Sequence, residues 1–198
     1  PAYSGFYGMV KAARIDSVDS PMTLKNGRFE IDWADLERKM TPDVRVLILC
    51  NPQNPTGRVY RTEELEALGT FAERHDLLIC SDEIHAELLL TKDRPHRPIA
   101  QLSDALAART ITLMAPTKTF NIPGLPCAFA IIPDAALRRR FREAQSGLVP
   151  SVGPLAYAAA EAAYRHGEPW RQGLLAQLRE NHAQVQAAVA ALPGVETT

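Results

Sequence analysis

Up to residue 132, short apolar runs alternate with stretches whose apolar positions recur at helical spacing. Val44–Cys50 reads Val-Arg-Val-Leu-Ile-Leu-Cys, apolar and β-branched, and predicts a central strand. Leu77–Cys80 and Ile111–Ala115 predict further buried strands, Cys127–Ile132 one more, and Arg14–Val18 an earlier one. Asn26-Gly27 is a strong turn signal. Helices are predicted through Ala12, over Trp33–Met40, from Thr62 to near His75, over Asp104–Ala108, and after Asp134. Asp32 suits the N-cap of the second, and Asp35 adds a carboxylate in its first turn. This alternation predicts an α/β domain with a mostly parallel sheet flanked by helices. From Ser151 the pattern is entirely helical and Ala-rich, with helices over Pro154–Arg165 and Pro169–Leu192. The change of rhythm near Gly147–Gly153 divides the chain into 1–150 and 151–198.

Charge narrows the partners. Lys plus Arg is 22 and Asp plus Glu is 23, a balance that argues against nucleic acid or anionic membrane. Arg138, Arg139, Arg140 and Arg142 read as a solvated helix face. No apolar run is long enough to span a bilayer and no signal-peptide pattern opens the chain, so a cytoplasmic protein is expected. Cys50, Cys80 and Cys127 are scattered without Cys-x-x-Cys spacing, which suits reduced, buried packing. The chain opens on Pro1 and halts just past a Pro193-Gly194 turn, which reads as a partial chain.

The candidate chemistry lies at strand ends, where open α/β sheets gather ligands. Lys118 follows the run Ile111–Ala115, Asp82 ends the run before it, and Asn54 lies in the loop Asn51-Pro52-Gln53-Asn54-Pro55-Thr56-Gly57. Separately these are a surface lysine, a solvated aspartate and an ordinary turn. Together, a lysine able to form a Schiff base and an acid able to pair with a pyridinium nitrogen are what pyridoxal phosphate requires. Asn54 and His85 could each reach the ring's phenolic oxygen, and Tyr3 offers a face for stacking. Asp82, Glu83 and His85 could instead begin a metal site, but no second ligand cluster accompanies them, and no metal is expected. His75 and His96 read as surface or structural histidines.

Three segments carry a family resemblance: Cys50–Gly57, Ser81-Asp82-Glu83-Ile84-His85, and Ala115-Pro116-Thr117-Lys118-Thr119-Phe120-Asn121-Ile122-Pro123-Gly124-Leu125. The sequence resembles fold-type I pyridoxal-phosphate enzymes, the class I/II aminotransferase superfamily, and within it the cystathionine β-lyase-type C–S lyases. The likeness runs from Pro1-Ala2-Tyr3 to Gly167-Glu168-Pro169-Trp170. It implies Lys118 as the cofactor lysine, Asp82 as the ring-nitrogen partner, Asn54 and His85 as partners of the ring oxygen, and Tyr3 as the stacking ring. Many aminotransferases carry an arginine at the position held here by Pro126, a phosphate-binding serine at Ala115 and a tyrosine at His85. The first and last departures favour the lyase branch; the second leaves Thr117 as the hydroxyl for the phosphate.

The resemblance also implies a phosphate-cradling glycine loop upstream, a carboxylate-gripping arginine downstream, and a homodimer. The 198 residues alone are accordingly expected to bind cofactor weakly and turn over poorly. The implied reaction is α,β-elimination on a cysteine-type amino acid, giving thiol, pyruvate and ammonia. Transamination is the alternative, and a non-catalytic amino-acid-sensing domain a minor one.

Overall fold

The computed structural model describes residues 1–91 and 95–197. The stretch 93–98, rich in Pro, Arg and His and read from its composition as a loop, lies partly outside the described residues. Helix α1 (Ser4–Ala12) leads to a hairpin of β1 (Thr23–Lys25) and β2 (Arg28–Glu30), and α2 (Trp33–Arg38) follows. Asn26 and Gly27 have φ of 50° and 73°, both positive as a two-residue hairpin turn of this kind requires. Asp32 caps α2 by accepting from the Asp35 N–H at 2.9 Å.

The main sheet comprises β3 (Val46–Cys50), β4 (Leu78–Asp82), β5 (Thr110–Met114) and β6 (Phe129–Ile131), in that spatial order. The first three are parallel and β6 runs antiparallel to β5. Helix α3 (Thr62–Arg74) connects β3 to β4, and α4 (Asp104–Ala108) precedes β5. Leu65, Leu68, Phe71 and Ala72 of α3 close the main core against Leu49, Leu77, Ile79, Ile99 and Leu106. Truncating Phe71 there removes a ring from a packed interior. Phe71→Ala is expected to cost about 3–5 kcal/mol, measured as a lowered urea midpoint.

Lys118 sits in a one-turn helix, α5 (Pro116–Thr119); Pro116 starts it because proline suits a first helical position. After β6 come α6 (Ala135–Gln145), α7 (Pro154–His166) and α8 (Glu168–Ala190), with Asp134 capping α6. Between α7 and α8, a Cβ on Gly167 would lie 2.6 Å from the Phe120 ring and 2.4 Å from the Ala163 carbonyl. Glycine there lets the helix junction close onto the segment after Lys118, where Phe120 also meets Tyr164 at 5.6 Å between ring centroids.

One strand expectation needs correction. Arg14–Val18 forms no strand: Arg14 takes a left-handed φ of 55°, and Ile15 and Val18 are exposed. Its two apolar residues stand three apart, which is not the period of a strand, and the segment has no ladder partner among the described residues. Within the described sheet β3 pairs with β4 alone, and Val46 is 49% exposed.

Candidate active site

The carboxyl ends of the parallel strands carry the candidate residues because each run stops at a residue that cannot continue it. β3 ends at Cys50, and prolines at 52 and 55 forbid regular structure in the loop beyond. That loop folds on itself: Gly57 N–H donates to the Gln53 carbonyl at 2.8 Å, and Thr56 Oγ1 donates to Gln53 Oε1 at 2.7 Å. The Gln53 Nε2 donates to the Pro1 carbonyl at 2.8 Å, which fastens the segment carrying Tyr3 beside Asn54. Parallel pairing sets Cys50 level with Asp82 and Asp82 level with Leu113, five residues before Lys118.

These placements enclose a cavity of about 60 Å³ lined by Tyr3, Cys50, Asn54, Asp82, Ile84, His85 and Lys118. Five of the six candidate residues therefore share one space. Thr117, the sixth, is half-buried beside it and does not line it; its carbonyl accepts from the Ile122 N–H at 3.1 Å. Among the described residues, no protein hydrogen bond engages the Lys118 ammonium, the Asn54 amide group or the His85 ring. A larger cavity of about 360 Å³ lies elsewhere, around Glu37, Arg45 and His75, and contains none of these groups.

Sequence reading passed over Cys50, treating it as packing. Its thiol lines the cavity and accepts from the Asn54 N–H at 3.5 Å. The available signal was its place directly before the Asn-Pro loop. Burial pushes this thiol up, opposed by the Asn54 N–H, with Asp82 adding to the rise; it stays protonated at neutral pH and is no ready nucleophile.

Burial dominates the electrostatics of this cavity. Burial pushes the Asp82 carboxyl up; the Ile84 N–H at 3.3 Å and nearby His85 oppose this, and Glu83 adds to it. Burial pulls His85 down, with Asp82 opposing and Lys118 adding to the fall. Because the folded His85 lies below its ordinary value, its contribution to stability is present above that ordinary value and lost as pH falls through the folded one. Measured against His85→Gln, the wild type should lose urea resistance as pH falls below about 6.5.

Among the described residues there is no group of three or more histidine, cysteine or carboxylate side chains placed to hold a metal. The set instead offers an amine, a carboxylate, an amide, an imidazole and an aromatic ring. Such groups fit a flat heteroaromatic bearing a protonated ring nitrogen, a phenolic oxygen and an aldehyde. The chain belongs to the family described as aminotransferase class I and II, which matches residues 1–198.

Particular relatives sharpen this. Cystathionine beta-lyase PatB of Bacillus subtilis (strain 168) is 39% identical over 189 residues, 94% of this chain and 49% of that protein. The crystal structure of OvoB matches with a TM-score of 0.95 at 45% identity, covering 100% of this chain and 52% of that one. Cystalysin from Treponema denticola, whose structure contains a pyridoxal 5′-phosphate cofactor, matches at a TM-score of 0.91 and 29% identity, covering 96% and 49%. The chain spans about half the length of the relatives it matches.

Proposed function

We propose that this chain is part of a pyridoxal 5′-phosphate-dependent C–S β-lyase acting on cysteine-type amino acids. The observation that carries the proposal is the single cavity shared by Lys118, Asp82, Asn54, His85 and Tyr3. Histidine at 85 and proline at 126, with the likeness to a cystathionine beta-lyase, favour elimination over amino transfer.

When bound, the cofactor supplies a sink for the electron pair left at the substrate Cα. Lys118 would hold the cofactor through Nζ and, once displaced by the substrate amine, would accept the Cα proton as general base. Loss of that proton would let the Cβ–S bond break with the sulfur leaving as thiolate, and water would convert the remaining enamine to pyruvate and ammonia. Asp82 would keep a proton on the ring nitrogen, and that contact would stabilise its charge. Asn54 and His85 would serve the ring's phenolic oxygen, Tyr3 would cover a face of the ring, and Thr117 would offer a hydroxyl to the phosphate.

In this reading residues 1–150 belong to the cofactor-binding domain and 151–198 lead into a smaller one, within a cytoplasmic homodimer. Among the described residues no helix is long and apolar enough to cross a membrane. The complete gene product, given cystathionine, should release thiol and pyruvate in equal amounts. Amino transfer that requires a keto acid and releases no thiol would reject elimination in favour of transamination, the reaction in the family's name.

A further inference from the structure

Glu83 follows Asp82 in sequence, yet its side chain takes no part in the cavity. It is 1% exposed, and a carboxylate so deeply buried needs partners. It has two. Ser81 Oγ donates to Glu83 Oε1 at 2.8 Å, and His96 Nε2 lies 2.6 Å from Glu83 Oε2, a short contact suited to a charge-assisted bond. His96 is itself only 9% exposed at its side chain and reaches in from the chain just before the buried Ile99.

The backbone of Glu83 joins the pieces of the candidate site. Its N–H donates to the Leu113 carbonyl at 3.0 Å, on the strand that leads to Lys118. Its carbonyl accepts from the Ala86 N–H at 2.9 Å, closing the turn that contains His85. The neighbouring Asp82 carbonyl accepts from the Asn51 N–H at 3.0 Å, at the start of the loop that carries Asn54. A side chain anchored at this residue therefore fixes three strand ends relative to one another.

We propose that Glu83 and His96 are positioning residues for the candidate site. Their buried carboxylate–imidazole contact holds the end of β4 so that Asp82 and His85 face the same ring as Lys118. The inference rests on the proposed reading of that site. Alternation along the strand turns Asp82 to the cavity and Ser81 and Glu83 to the opposite face, so the pair acts through backbone geometry and not by touching ligand. A displacement of about 1 Å at a reacting group can cost on the order of 100-fold in rate.

The test compares His96→Ala with His96→Gln in the complete gene product, since glutamine keeps an N–H near the position of Nε2. In the cofactor-free protein, the backbone amide resonances of Asp82 to Ala86 should move in His96→Ala and return in His96→Gln. In the loaded protein, the pH midpoint of the visible absorption band should shift in the alanine variant, with kcat/KM falling on the order of 100-fold, chiefly through kcat. Glutamine should restore both. If His96→Ala does not fold, Ser81→Ala removes one of the two anchors and should move the same resonances. Unmoved amide resonances and an unmoved midpoint alongside a lowered melting temperature would overturn the proposal, as would a glutamine variant as impaired as the alanine one. A wild type with no Lys118-dependent band would defeat the reading of the site instead; the amide resonances still decide whether the pair positions β4.

Discussion

Lys118→Ala should erase the visible absorption band that the complete protein acquires with pyridoxal 5′-phosphate, and lower turnover on the order of 10⁴-fold. In the proposed reading two roles vanish with one amine: the covalent hold on the cofactor and the base that takes the Cα proton. The fold should not notice. Lys118 is exposed at the end of a one-turn helix, and no hydrogen bond of its ammonium ties it to another described residue. A change within about 0.5 kcal/mol in urea unfolding is expected, so lost activity cannot be assigned to lost structure. Lys118→Arg separates charge from chemistry. The guanidinium keeps the positive charge but stays protonated and is no nucleophile, so the band should be absent there too. A persistent band in both variants would mean that the amine in contact with the cofactor is not Lys118.

Much of this arrangement can be read from the chain because its cause is local. The strands at 46–50, 78–82 and 110–114 are apolar runs cut off by residues that terminate them, and the N-caps Asp32 and Asp134 announce their helices. Strand ends that carry Asn54, Asp82 and Lys118 then fall together because parallel pairing brings the carboxyl ends of successive strands to one edge. What could not be read depends on partners distant in sequence. Arg14–Val18 finds no strand to pair with among the described residues. Cys50 enters the cavity only because the loop beyond it folds back, and His96 finds Glu83 across thirteen residues. A lone histidine on a polar loop gives no hint that it will be buried against a carboxylate.

Asp82→Asn should disable the enzyme while leaving the cofactor-free fold as stable as before, or more so. The sign follows from burial. The folded Asp82 carboxyl is raised above its ordinary value, so the stability it contributes is present below that value and lost as pH rises through the folded one. Above the folded value an ionised Asp82 therefore works against the cofactor-free fold, and a neutral amide of the same shape removes that burden. With cofactor the balance reverses. A protonated ring nitrogen supplies the cation that Asp82 lacks, so the wild type should gain more in melting temperature from pyridoxal 5′-phosphate than Asp82→Asn does. Turnover should fall by about 100-fold or more, because asparagine cannot hold the ring proton that makes the cofactor an effective sink. Thermal melts of both proteins with and without cofactor, with pyruvate release measured in parallel, give all three quantities. An Asp82→Asn protein that melts lower when empty yet keeps its turnover would show that this carboxylate serves the fold and not the ring.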